Sequence, residues 1–287
     1  MRWQDLRRSQ NVKDVRGRSF GGGGMKLGIG SLVVAAIAYF AGVDPRLVMG
    51  LLDTGGATGP DPTQMQTAPP SDDAGDFAAA ILGSTEDVWG ALFRESGSTY
   101  PPPQLVLFTG QVPTACGTGS AAVGPFYCPA NQAVYVDLDF FQELASRLGG
   151  PADAARDDSF AKAYVLAHEV GHHVQTITGI SDKVRGAQSR GSQQEQNALQ
   201  VRMELQADCY AGIWARFARD RLTEQDIDDA LTAAAAVGDD MIQKKMQGYV
   251  VPESFTHGSA EQRRRWFARG FGSGEVDACD TFATKSL

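Results

Sequence analysis

The residues best able to do chemistry in this chain are the run His168-Glu169-Val170-Gly171-His172. In a helix with about 3.6 residues per turn, the imidazoles of His168 and His172 project from one face and can chelate a single ion. Glu169 then stands about 100° round the helix, off the ligand pair but within reach of a water held on that ion. Two nitrogen ligands with a carboxylate base beside them are the parts of metal-assisted hydrolysis. The chain has four histidines in 287 residues, so this spacing would arise by chance in on the order of 1% of such chains. A lone histidine in a helix is usually a packed or surface residue. Paired histidines flanking a glutamate point instead to Zn2+.

Catalytic zinc keeps three protein ligands and one open position for water. One known arrangement places a third histidine six residues after the second, beyond a glycine that turns the chain. Here those positions hold Thr178 and Gln175. The alternative is a carboxylate on a later helix, and Glu204 lies in such a segment with Asp208 four places on. Glu204 can bind the metal while Asp208 accepts the free ring N–H of a ligand histidine, fixing its tautomer. Met203, Leu205, Ala207, Tyr210, Ala211, Ile213 and Trp214 make this helix largely apolar, against the plainer view of two acids on a solvated face. Cys209 is the other candidate ligand, but it sits about 140° round the helix from Glu204 while Asp208 sits about 40° away.

At these residues the chain resembles the zincin metallopeptidases with a glutamate as third ligand, and in particular the bacterial family called putative neutral zinc metallopeptidases. The resemblance extends to Met1-Arg2-Trp3, Ser9-Gln10-Asn11-Val12, Arg16-Gly17, the glycine run before the hydrophobic segment, and Gly124-Pro125-Phe126-Tyr127-Cys128-Pro129. It continues through Val134-Tyr135-Val136-Asp137, Glu204-Leu205-Gln206-Ala207-Asp208-Cys209 and Thr256-His257-Gly258-Ser259-Ala260-Glu261-Gln262-Arg263. It implies an α+β fold, a mainly helical zincin-like domain with a small β-sheet whose edge strand binds substrate backbone. It implies peptide hydrolysis with His168, His172 and Glu204 on the metal and Glu169 as general base. Related zincins carry a histidine that stabilises the oxyanion, which assigns that role to His257. Arg263 either assists it or pairs with a carboxylate, and Tyr210 is a weaker candidate.

The net charge of −8 is uneven. Arg2, Arg7, Arg8, Lys13, Arg16, Arg18 and Lys26 against Asp5 and Asp14 make residues 1–26 carry +5, leaving −13 on the remainder. That excess of acid argues against a nucleic-acid partner. Residues 27–43 are an uncharged apolar run, about 26 Å as a helix, enough for one N-terminal transmembrane helix. Basic charge before it and acid after it predict a cytoplasmic N-terminus and a catalytic domain that is periplasmic or extracellular. A cleaved signal peptide ending near Ala36-Ile37-Ala38, or a buried core helix, are the competing interpretations. The expected organisation is thus a basic cytoplasmic segment 1–26, a membrane anchor 27–43, a Gly/Pro/Ser-rich linker 44–75 and a metallopeptidase domain 76–287.

Cys116, Cys128, Cys209 and Cys279 follow the apolar run, on the side that would be oxidising. They allow three pairings. Cys116 with Cys128 would close a short loop containing Gly117, Gly119, Gly124 and Pro125, and Cys209 with Cys279 would tie the tail to the Glu204 helix; in a cytosolic domain all four would be free thiols. Apolar periodicity predicts a helix over 76–94, strands at 105–108 and 133–137, a helix over 139–147, and a metal-bearing helix from about Asp157 to Gly179. Residues 181–194 read as a polar connector. Thr223-Glu224-Gln225-Asp226 begins a further helix with Ile227, Ala230, Leu231, Ala234 and Met241 on one stripe, and Ser259-Ala260-Glu261-Gln262 begins another, leaving His257 in the loop before it. His173 points off the ligand face, as a structural or supporting residue. The activity these residues predict is a membrane-anchored zinc endopeptidase. A zinc-stabilised cell-envelope binding or assembly factor without hydrolytic activity is the alternative, and hydrolysis of a non-peptide amide a third.

Overall fold

The computed structural model describes residues 1–18, 61–121, 124–140, 159–236 and 238–287. A mixed four-stranded sheet has the order β1-β2-β6-β5, from β1 (Val12–Asp14), β2 (Gln104–Phe108), β5 (Phe126–Cys128) and β6 (Ala133–Asp137). β1 and β6 run parallel to β2, and β5 runs antiparallel to β6 at the sheet's edge. A separate hairpin pairs β3 (Gln111–Thr114) with β4 (Gly117–Ser120). β2 and β6 are apolar at successive positions because both faces are covered. Leu105, Leu107, Val134 and Val136 join the main core with the helices, while Val106, Phe108, Ala133 and Tyr135 join a smaller cluster with Val15, Val112 and Cys128.

The helices are α1 (Asp73–Glu95), α2 (Ser159–Ile177), α3 (Ile180–Gln188), α4 (Gln193–Phe217), α5 (Glu224–Ala236), α6 (Asp239–Gln247) and α7 (Ala260–Ser273). The mainly helical α+β expectation holds for the described residues. α1 starts where Asp72 accepts from the Gly75 amide, and it buries Phe77, Ile81 and Trp89 against the core. α2 stops at Gly179, whose φ of +77° is a left-handed conformation that glycine adopts freely. Reciprocal capping boxes start α4 at Ser192 with Glu195 and α7 at Ser259 with Gln262. The supposed connector over 181–194 contains α3, which buries Val184 alone, too little apolar periodicity to show in the sequence. The expected stripe through Met241 is broken: α5 ends at Ala236, α6 begins after Gly238, and Met241 is exposed. The helix expected over 139–147 lies almost wholly outside the described residues.

The first 18 residues correct the domain expectation. Rather than a separate basic segment, they belong to the same body as residues 61–287. Val12, Lys13 and Asp14 pair in register with Leu105, Val106 and Leu107. Trp3 meets Phe77 edge-on at 5.3 Å, and the Met1 ammonium lies 2.8 Å from Asp226. Three of the basic residues that suggested a cytoplasmic flank form ion pairs within the domain. Arg7 reaches Glu86 and Asp87, Arg8 reaches Asp76, and Arg16 reaches Asp14 and Asp72. Residues 61–75, expected in the linker, also lie on the domain: the Asp14 amide donates to Thr67 Oγ1, Arg18 to the Gln66 carbonyl, and α1 already begins at Asp73. Residues 27–43 lie outside the described residues. Among the described residues, no helix is long and apolar enough to cross a membrane.

Because Val15 is 1% exposed within the smaller cluster, Val15→Asp is expected to lower the unfolding free energy by about 3 kcal/mol, from lost apolar burial and a buried charge. Urea denaturation measures it. Unchanged stability would mean that residues 1–18 do not belong to the domain.

Candidate metal centre

His168 and His172 lie on α2 and face Glu204 on α4. Gly171 lets the two helices approach: a Cβ on it would stand 3.0 Å from both the Cα and the carbonyl oxygen of Ala207. At this crossing His168 Nε2 lies 3.2 Å and His172 Nε2 3.6 Å from Glu204 Oε2, and one ligand atom from each residue falls within 4.8 Å of the others. Bonds of about 2.0–2.1 Å in tetrahedral geometry separate ligand atoms by about 3.3 Å. The two imidazole-to-carboxylate distances lie close to that value. Glu169 is 7% exposed, and its Oε2 has no hydrogen-bond partner among the described residues. A buried carboxylate oxygen without a donor is unusual, and it fits a group kept free to face a water on the metal. The donor set and this orphaned oxygen together suit a catalytic zinc.

Asp208 stands behind His168. Its Oδ1 lies 2.9 Å from His168 Nδ1 and accepts from the Tyr164 hydroxyl at 2.5 Å, while Arg263 donates to both carboxylate oxygens at 2.8 and 2.9 Å. Asp208 is 0% and Arg263 4% exposed. Burial pushes the Asp208 pKa up, but Arg263 and His168 outweigh it and hold the carboxyl below its ordinary value. Arg263 is therefore the partner of a carboxylate, the second of its two sequence alternatives. Burial pulls His168 down, but Asp208 and Glu204 outweigh it and raise the metal-free imidazole to about 9. Glu204 is also buried, yet His172 and His168 hold it well below the carboxylate range.

His257 sits in the loop before α7. Its Nδ1 is 3.2 Å from Asp239 Oδ1, while Asp239 Oδ2 accepts from the backbone amides of Thr256, His257 and Gly258 at 2.7, 2.6 and 3.1 Å. Asp239 therefore fixes both the loop and the ring. Although burial pulls it down, the His257 pKa is raised by Asp239 and by Glu204, so His257 lies within the electrostatic reach of the ligand cluster. His173, fully buried, sits between the Tyr127 hydroxyl at 3.1 Å and the Pro101 carbonyl at 2.7 Å, and burial lowers it to about 4. It is a neutral strut joining α2 to the edge strand β5. Tyr210 packs edge-on against Trp89 in the core, away from this chemistry.

Cys116 pairs with Cys128 and Cys209 with Cys279, so Cys209 has no thiolate to offer a metal. Three supporting residues escaped the sequence analysis. Tyr164 lies one turn before His168 on the same helical face. Gln175, considered only as a position where glycine was wanted, accepts from His172 Nδ1 at 2.9 Å through its Oε1; its place three residues after His172 was the available signal. Asp239 carried no signal, because 18 residues of helix and loop separate it from the histidine that it holds.

A family described as "Putative neutral zinc metallopeptidase" matches residues 1–282. The chain is 45% identical over 293 residues to "Uncharacterized protein YpfJ" of Escherichia coli, covering 98% of this chain and 99% of that protein. It is 41% identical over 267 residues to "Uncharacterized protein Rv2575" of Mycobacterium tuberculosis, covering 87% of this chain and 86% of the relative. No solved structure matches.

Since a zinc-bound imidazole must be neutral and His168 keeps its proton up to about 9 without metal, zinc uptake should release protons. Protonation competes with metal below that pH, so apparent affinity should rise with pH by up to about tenfold per unit and level off above about 9. Calorimetry in buffers of different ionisation enthalpy measures the protons released. A pH-independent affinity over this range would contradict His168 as a ligand.

Proposed function

The chain belongs to the putative neutral zinc metallopeptidase family, and from that membership we propose that it is a zinc-dependent endopeptidase with Glu169 as its general base. The observation that carries this reading is the buried Glu169 Oε2, without a hydrogen-bond partner among the described residues, next in sequence to a cluster of three ligands. A purely structural zinc site closes with a fourth protein ligand and has no use for a free carboxylate. That favours hydrolysis over the alternative of a non-catalytic binding or assembly factor.

When bound, zinc would polarise the scissile carbonyl and lower the pKa of its water to near 7. Glu169 takes the proton of the attacking water and delivers it to the leaving amine. His257, with Nδ1 held by Asp239, donates from Nε2 to the oxyanion of the tetrahedral intermediate. Asp208 keeps His168 in the tautomer that presents Nε2 to the metal. The substrate backbone adds to the outer edge of β5, a common mode of peptide capture. A cavity of about 170 Å³, lined by Tyr127, Thr176, Val184, Gln200 and Met203 together with the ligand His172, receives a substrate side chain next to the scissile bond.

The apolar run 27–43 holds this domain at a bacterial cell membrane in our reading, with the site on the periplasmic or extracellular side that suits two disulfides. The pairing of β1 with β2 supports a reading in which both flanks of that run lie on the side of the site, in place of the cytoplasmic N-terminus expected from charge.

Glu169→Gln is expected to bind zinc as the wild type does and to lose at least about a hundredfold in casein hydrolysis; full activity in a zinc-loaded variant would remove Glu169 as the base. For topology, Gln10 and Lys285 are both exposed, and no native cysteine is free. Gln10→Cys and Lys285→Cys should label equally with an impermeant maleimide in intact cells or spheroplasts. Labelling at 285 but not at 10 would restore an N-terminus across the membrane.

A further inference from the structure

The two ligand histidines are held in different ways. A charged network holds His168, while His172 is held by neutral amides. His172 Nδ1 lies 2.9 Å from Gln175 Oε1. Gln175 Nε2 donates to the Met203 carbonyl at 2.8 Å and to Gln206 Oε1 at 3.0 Å, and Gln206 Nε2 donates to the Cys279 carbonyl at 3.1 Å. Gln175, Gln206 and Cys279 are 0%, 4% and 0% exposed, so water does not compete for these bonds.

The direction of this chain of bonds is forced. A backbone carbonyl can only accept, so Gln206 must turn its NH2 to Cys279 and its oxygen to Gln175. Gln175 must then turn its NH2 to Gln206 and Met203 and its oxygen to His172. An amide oxygen also only accepts, so Gln175 Oε1, at 2.9 Å, draws the proton of neutral His172 to Nδ1 in competition with Glu204 Oε2, 3.6 Å from Nε2. Nε2, which faces Glu204, keeps the lone pair. A free imidazole in water favours the opposite tautomer.

The Cys279 carbonyl is itself held in place. Cys209 binds the tail covalently, and Thr281 Oγ1 donates to the Arg202 carbonyl while Arg202 donates back to the Thr281 carbonyl. Arg202, Gln206 and Cys209 fall on one face of α4, so the tail is fixed at three successive turns.

We propose that Gln175 and Gln206 are positioning residues that carry the fixed place of the Cys279 carbonyl, set by the Cys209–Cys279 bridge, to His172 and hold it in its metal-binding tautomer. The proposal rests on the zinc reading only in taking Nε2 as the nitrogen that binds metal.

The test uses the full-length metal-free protein with ¹⁵N-labelled histidine in mildly alkaline buffer, where long-range proton–nitrogen spectra report each ring's tautomer. Wild-type His172 is expected to carry its proton on Nδ1. Gln206→Leu should move it toward Nε2 and raise the zinc dissociation constant about tenfold, measured by competition with a chromophoric chelator. Gln206→Met keeps the length of the side chain without its amide and should give the same two shifts, so it supplies the reading if the leucine variant does not fold. A Gln206→Leu protein with a lower melting temperature but a wild-type tautomer and affinity would overturn the proposal. A wild type that binds no zinc yet shows Nδ1–H would sink the peptidase function and leave the relay standing. Zinc binding with metal-free His172 protonated on Nε2 would do the reverse.

Discussion

The metal centre depends on the close crossing of α2 and α4 at Gly171 and Ala207. His168 and His172 bracket the contact on one helix, and Glu204 and Asp208 bracket it on the other. Because both helices are rigid at this scale, one contact distance sets four functional side chains at once. A side chain at position 171 would not merely fill space. It would press on the Ala207 backbone, one turn from Glu204. A glycine inside a helix costs about 1 kcal/mol relative to alanine, and here it spares the crossing a Cβ that would crowd the Ala207 backbone at 3.0 Å. α4 is fixed on its other side by a second pair of close approaches, where Gly212 lies against the Phe267 carbonyl and Gly270 against the Cys209 carbonyl. α7 is thereby seated so that Arg263 reaches Asp208.

That seating has an electrostatic consequence. Asp208 and Arg263 are both removed from water, and such a pair gains stability only when its remaining donors and acceptors are satisfied. Here Asp208 accepts from two guanidinium nitrogens, the Tyr164 hydroxyl and His168 Nδ1. Arg263 supplies the carboxylate with a countercharge that stays when His168 loses its proton. His168 can therefore give up its proton to bind metal without leaving a buried charge unpaired. Glu204 is in the opposite position. Among the described residues it has no arginine partner; Gln200 Nε2 donates to Oε1, and the two ligand imidazoles face Oε2. Its negative charge is balanced by protons or by a metal, which is what a ligand that neutralises zinc requires.

The sequence carries the ligand set because ligand spacing is local. His168, Glu169 and His172 share two turns, and the phase of Glu204 against Asp208 and Cys209 can be worked out from helix geometry alone. The Cys116–Cys128 pairing and the central strands β2 and β6 follow from the same kind of short-range pattern. What escaped was tertiary. Asp239 meets His257 only after α6 folds back beside α7, and Gln206 meets Gln175 only because the helix crossing puts them side by side. β1 is three residues long, too short for any alternation to announce it.

The error over residues 1–18 has a more specific cause. Basic residues before an apolar run are read as a topological signal, yet the same arginines serve as ion-pair partners wherever acids await them. α1 supplies those acids: Asp76, Glu86 and Asp87 line the side against which Arg7 and Arg8 lie, and Asp72 at its cap meets Arg16. Exposed pairs of this kind each contribute little, typically under about 1 kcal/mol, so they do not by themselves hold the segment. Val12 and Val15, buried at the sheet, and Trp3 against Phe77 supply the apolar contact, and the ion pairs set its orientation. Charge asymmetry between two stretches of sequence therefore says where opposite charges can meet as readily as which side of a membrane each occupies. In this chain β1 pairs with β2, and the arginines before the apolar run meet acids of the same domain.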